Sequence, residues 1–279
     1  MLTHTRIFYR VKIKEKRIEE NDMNLEERIG IYYTSLTKSE KDVYQAVLAN
    51  PKGIINKSIQ EAAKTYNVSA ASIQRFVKKV GYRGYTEFRL AVEDITNSSK
   101  TDTSSDKTNL WKIMNAYIST FQTLKDINMD KILFQLVNDI KDYSTIKALG
   151  IGNTALSAEQ LVYSMYSEDK FIEAVQDKIK IDYLESSMDS SYLLIIFSVT
   201  GSVDTYKKIM MAAKKKNVKT YLITMNQESP LLKLTPNKIV LPSTNIQNND
   251  NTLYRVDNRT ILYSFAEVIS YYYATALNR

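Results

Sequence analysis

The chain has no cysteine, which excludes a disulfide framework and a thiolate zinc site. Its only histidine, His4, stands in the opening tail, so no metal and no cofactor is expected. Long apolar runs are missing too: the longest, Tyr192 to Phe197, is far shorter than the roughly 20 residues that cross a bilayer. No apolar signal core opens the chain, so a soluble protein of the reducing cytoplasm, with no membrane partner, is expected. Glycine is scarce, seven in 279 residues, and three of the seven fall at the ends of apolar runs, which gives those three positions weight.

What is present is a modest basic excess, 38 Lys and Arg against 31 Asp and Glu, unevenly spread. Residues 97–279 are nearly balanced, with twenty-one basic and nineteen acidic groups. By contrast Lys64, Arg75, Lys78, Lys79, Arg83 and Arg89 fall within 26 residues and are opposed only by Glu87. A local basic surface of this kind points to an anionic partner.

The opening 22 residues carry no clean helical or strand period, whereas an amphipathic pattern begins at Met23. Residues 1–22 therefore read as an extension and Met23 as the natural start. Thr37 and Glu40 form a capping box that opens a helix through about Ala49, stopped by Asn50-Pro51. Ser58 and Glu61 repeat the device for a second helix running to about Tyr66. Ser69 caps a third, which ends at Gly81, and a further helix begins near Tyr85. Residues 97–109, rich in Ser and Thr, read as a linker between a domain over 23–96 and a second over 110–279. Beyond it, helices alternate with five short apolar runs: TIKALGIG, KFIEAV, SYLLIIFSV, KTYLITM and KIVLP. The spacing predicts a five-stranded parallel sheet with right-handed crossovers, closed by a helix over the long segment from Thr252 to Leu277.

In IQEAAKTYNVSAASIQRFV, Ala62 and Ala63 are small where two helices must cross, and Asn67 tolerates the left-handed conformation of a tight turn. With Val68, Ile73 and Phe76 turned to a core, Gln74, Arg75, Lys78 and Lys79 face outward. Gln74 and Arg75 can then reach base edges, while the lysines suit phosphates.

The stretch from Leu36 to Val92, including VSAASIQRFVKKVGYRGYTEF, closely resembles the N-terminal domain of the RpiR family of bacterial transcription regulators. The resemblance implies a winged-type or extended helix-turn-helix that binds double-stranded operator DNA as a dimer. It makes Ser69, Ser72, Gln74 and Arg75 candidates for base contact, and Lys78, Lys79 and Arg83 candidates for backbone contact. Gln74 stands where the family commonly has a hydroxyl or small polar residue.

GIGNT, residues 150–154, ends one predicted strand and opens a helix, and FSVTGS, residues 197–202, ends another and opens the next. Such turns offer N–H groups and hydroxyls at helix N-termini, a natural phosphate cradle, although close strand-to-helix packing would explain the glycines equally. Residues 130–245 resemble the sugar isomerase (SIS) domain that RpiR regulators carry, a flavodoxin-like α/β module that binds phosphosugars. The matching residues are GIGNTALSAE, FSVTGS and ITMNQESPLLKL. The resemblance assigns Thr154, Ser198, Thr200 and Ser202 as hydroxyl donors to a ligand phosphate, with Gly152, Asn153 and Gly201 shaping the loops. Thr154 and Thr200 stand where serine is usual, and Val203 replaces a hydroxyl residue that commonly completes the cradle.

An isomerase would need a paired general acid and base. The carboxylates in reach of these loops by sequence, Glu159 and Glu267, form no evident pair. The reading is therefore a regulator, not an enzyme, with a homodimer or tetramer presenting its DNA-binding heads and a phosphorylated sugar as effector. The alternatives are a SIS-domain sugar-phosphate isomerase and a DNA-binding dimer whose second domain holds no effector.

Overall fold

The computed structural model describes residues 25–98, 108–243 and 259–277. The expected extension over 1–22, most of the expected linker and the segment before Arg259 lie outside them.

Five helices come first: α1 (Leu25–Tyr32), α2 (Lys38–Ala49), α3 (Ile59–Tyr66), α4 (Ala70–Lys79) and α5 (Tyr85–Ser98). Their limits follow from local chemistry. The Thr37 amide donates to the Glu40 carboxylate at 2.8 Å, and at α3 the Ser58 amide donates to Glu61 at 2.7 Å while the Glu61 amide donates back to the Ser58 hydroxyl. Each reciprocal box supplies partners to N–H groups that the first turn cannot satisfy. Asn67 takes φ +53° after α3, and Gly81 takes φ +89° after α4. The enclosed core holds Val43, Tyr44, Val47, Ile73, Phe76, Val77 and Phe88, with the Phe76 and Phe88 rings edge to face at 5.5 Å.

Two further helices, α6 (Asn109–Asp126) and α7 (Asp130–Asp142), lead into the alternating part. There β1 (Thr145–Leu149), α8 (Ala155–Tyr166), β2 (Glu173–Val175), α9 (Lys178–Ser187), β3 (Tyr192–Ser198), α10 (Val203–Lys215), β4 (Lys219–Thr224) and β5 (Asn237–Val240) follow in turn, and α11 (Arg259–Leu277) closes the fold. The sheet runs β2-β1-β3-β4-β5 with every pairing parallel. All five expected strands are present.

Strand β3 shows why the sheet is central. Leu193, Ile195 and Phe197 join one core with α7, α8 and α11, while Leu194 and Ile196 join the other with α9 and α10. A strand buried on both faces reads as an unbroken apolar run, as YLLIIF does. Helix α1 bridges the two halves of the chain: Leu25 and Ile29 belong to the helical core, and Ile31, fully buried, belongs to the sheet core. Among the described residues no helix is long and apolar enough to cross a membrane.

Candidate DNA-binding face and ligand cleft

Helices α3 and α4 cross at Ala62 and Ala63, which are buried, so the two backbones approach closely. Helix α4 buries Ile73, Phe76 and Val77 and exposes Gln74, Arg75, Lys78 and Lys79; Val68 is half-buried against the same core. Ser69 and Arg83 are exposed as well, so six of the seven expected DNA-contacting side chains share the outer surface of α4 and the turn after it.

Ser72 is the exception, at 7% exposure. Its amide donates to the Ser69 hydroxyl at 3.0 Å, its hydroxyl lies 2.8 Å from that of Ser69, and Arg75 Nη2 donates to it at 3.2 Å. The residue is spent on the helix cap and on steering Arg75. It lies under the face, not on it. Lys78 Nζ donates to the Arg83 carbonyl, and the Arg83 amide to Glu87 Oε2 at 2.6 Å, which ties the turn to the helices on either side.

The second constellation stands at the carboxyl ends of β1 and β3. From β1 the chain continues to β2 on one side, and from β3 to β4 on the other, so the crevice between β1 and β3 is the switch point where open parallel sheets bind ligands. Gly150 leaves β1 where a Cβ would sit 2.3 Å from the Thr154 carbonyl oxygen, so only glycine lets the loop fold back this tightly. The Thr154 hydroxyl donates to the Ile151 carbonyl at 3.0 Å and accepts from its amide at 3.1 Å, closing the turn. After β3, Gly201 takes φ +56° and packs under Ser229, whose hydroxyl donates to the Gly201 carbonyl at 2.9 Å. The Ser202 amide donates to the Ser198 hydroxyl at 3.3 Å, and the Ser202 hydroxyl lies 2.9 Å from that of Thr205.

Between the loops is a cleft of about 360 Å³. Gly152, Asn153, Thr154, Ser198, Thr200 and Ser202, six of the seven expected ligand residues, line it; Gly201 shapes the loop from behind. Six residues that the sequence reading did not name as ligand contacts line it too: Ser35, Ile151, Val199, Thr205, Tyr206 and Arg259. Thr205 restores a hydroxyl to the rim, whereas Val203 packs into the core beside α9 and α10. Its three-residue spacing from Ser202 at a helix start was the available signal. Arg259, the only charged side chain among the described residues of the lining, comes from α11, and nothing in the local sequence announces it. Burial pushes the Tyr206 phenol pKa up, so that group stays neutral. A larger cleft, about 620 Å³ and lined by Lys214, Lys219, Lys233 and Lys238, opens at the amino ends of β4 and β5, away from both glycine loops.

A family model described as "Helix-turn-helix domain, rpiR family" matches residues 23–99, and the SIS domain model matches residues 139–266. The chain belongs to the RpiR family. It is a transcriptional regulator with a helix-turn-helix and a SIS domain. Relatives of this RpiR protein include an uncharacterised HTH-type regulator of Thermotoga maritima, 26% identical over 253 residues, which are 85% of this chain and 86% of the relative. The regulator GlvR of Bacillus subtilis is 23% identical over 231 residues, 82% and 88% of the two chains. Among solved structures, Vibrio vulnificus NanR complexed with ManNAc-6P matches with TM-score 0.53 and 18% identity, covering 90% of this chain and 92% of NanR. An Escherichia coli CFT073 protein in complex with a sugar phosphate matches with TM-score 0.52 and 12% identity, over 61% of this chain and 89% of the other. Likeness at this level shows the fold.

Proposed function

We propose that this RpiR regulator binds operator DNA through the outer face of α4 and adjusts that binding when a phosphorylated sugar occupies the cleft between β1 and β3. The observation that carries the reading is the cleft itself. The glycine-shaped loop after β3 and the start of α10 present Ser198, Thr200, Ser202 and Thr205 beside Arg259, across from the loop after β1, and these are the donors and charge that a phosphate monoester requires. Gln74 and Arg75 read bases, Ser69 supports them, and Lys78, Lys79 and Arg83 hold the backbone. A homodimer or tetramer built on the SIS domains would set the spacing of the heads, and control of sugar or amino-sugar catabolism is the matching physiological role.

Sensing is favoured over turnover by the lining of the cleft, which among the described residues includes neither a carboxylate nor a histidine. Glu267 instead accepts from Gln160 at 3.2 Å, outside that lining. A ligand can shift DNA affinity only by its differential affinity for two arrangements of the heads.

The test is a thermal-shift panel of N-acetylhexosamine 6-phosphates, aldohexose 6-phosphates and pentose 5-phosphates, with the free sugars and inorganic phosphate as controls. ManNAc-6P, the ligand of the solved NanR complex, comes first. A ligand that binds only the folded state raises the Tm, by the equivalent of about 2.7 kcal/mol at a hundredfold excess over Kd. One phosphosugar should stabilise the protein and fail to stabilise Ser198→Ala. A flat panel, or isomerisation of any member by the pure protein, would overturn the reading.

A further inference from the structure

Helix α1 belongs to the DNA-binding half, yet its Arg28 and Tyr32 side chains meet Glu228 and Asn226 of the loop after β4, which packs beside the ligand loop. Arg28 is 5% exposed, and its two terminal nitrogens meet the two carboxylate oxygens of Glu228, both at 2.5 Å. The same guanidinium donates to the carbonyl of Gly81 at 3.2 Å and lies 4.8 Å from the centre of the Tyr82 ring. Gly81 and Tyr82 form the turn that ends α4. One arginine therefore holds the base of the recognition helix and the loop after β4 at once.

The contact continues to the cleft. The Glu228 amide donates to Asn226 Oδ1 at 3.0 Å, and Asn226 Nδ2 donates both to the Thr200 carbonyl and to the Tyr32 hydroxyl, each at 2.9 Å. Thr200 lines the cleft, and so does Ser35, just beyond α1. Asn226 is 2% exposed, so none of these bonds is readily exchanged for water. The ion pair is buried on its Arg28 side, at 6% exposure, while the Glu228 side chain keeps 32%; such a pair adds little net stability, and the best-attested use of a buried pair is to fix one register between the pieces it joins.

We infer that Arg28, Glu228, Asn226 and Tyr32 are the positioning residues through which the occupancy of the cleft reaches α4. A phosphate drawn against Thr200 and Ser202 moves the Thr200 carbonyl, Asn226 follows its acceptor, and the Glu228 carboxylate carries the shift through Arg28 to Gly81. The inference rests on the phosphosugar reading for the identity of the ligand, but not for the existence of the route. Coupling is reciprocal, so DNA on α4 must also alter the loop after β3.

The experiment uses that reciprocity and the full-length protein. A duplex selected by the wild-type protein from a random-sequence pool is added, and amide hydrogen exchange is followed over residues 198–202, in the wild type, in Glu228→Gln and in Tyr32→Phe. The duplex should change exchange in this loop at least threefold in the wild type. That change should disappear in Glu228→Gln and shrink in Tyr32→Phe, which removes one oxygen and little packing. Where Glu228→Gln does not fold, Tyr32→Phe decides. An unchanged loop in the wild type, or a full wild-type response in the variants, overturns the route. A flat phosphosugar panel alongside a loop response that these variants abolish would overturn the ligand assignment while leaving the route standing.

Discussion

Replacing Gly201 by alanine tests the construction of the ligand loop. At φ +56° the new Cβ would lie 2.3 Å from the Ser229 hydroxyl oxygen and 2.5 Å from the Ser229 Cβ. The left-handed backbone alone costs a non-glycine residue about 1–2 kcal/mol. Ser229 is 3% exposed; its hydroxyl donates to the Gly201 carbonyl and accepts from the Leu231 amide, so pushing it aside forfeits bonds worth about 1 kcal/mol each. Gly201→Ala should therefore lower stability by about 2–4 kcal/mol. Urea denaturation followed by circular dichroism measures the loss as a shift in midpoint at constant slope. The diagnostic comparison is the same substitution in a Ser229→Gly background, where the overlap is gone and only the backbone strain, about 1–2 kcal/mol, remains. Equal costs in the two backgrounds, or a cost below about 0.5 kcal/mol in the first, within the usual range for a bland substitution, would refute the reasoning. Because Ser198 and Ser202 flank the strained residue, the variant should also lose stabilisation by the phosphosugar.

Arg75→Glu should abolish sequence-specific binding in a mobility-shift assay, whereas Lys79→Ala should weaken binding to all duplexes alike and reduce the salt slope by about 1. Thr205→Val keeps the side-chain shape and removes a hydroxyl from the rim, so titration calorimetry should show phosphosugar affinity falling by about tenfold with little change in Tm of the free protein. Hydrogen bonds from the Ser58 hydroxyl and amide hold the Glu61 carboxyl below its ordinary range. A group whose folded pKa is lowered stabilises the fold above its unfolded pKa and loses that contribution as pH falls through the folded one. The urea midpoint of the helical domain should thus drop on acidification below about pH 4.5, and the part due to this box should be absent in Glu61→Gln.

Much of the architecture is local and was legible in order along the chain. The Thr37–Glu40 and Ser58–Glu61 boxes, the Asn67 turn and the small pair at Ala62 and Ala63 each act within a few residues, so they declare their helices without help from the rest of the molecule. The five apolar runs announce a parallel sheet because strands buried on both faces tolerate few polar residues. The glycine loops were legible for a related reason: a glycine at a strand end marks a backbone that must turn sharply or approach closely.

The exceptions are the residues whose role depends on distance in space. Ser72, placed by resemblance at the bases, is buried because the 3.6-residue period carries it beneath Ser69 and Arg75. Arg259 joins the cleft only when α11 packs across the sheet. Arg28 and Glu228 stand 200 residues apart and meet because α1 lies between two cores. The sequence by itself determined which pieces form and which surfaces carry charge, since those follow from neighbours along the chain. The tertiary structure alone decided which pieces touch, because a bridge between distant segments leaves no periodicity in either.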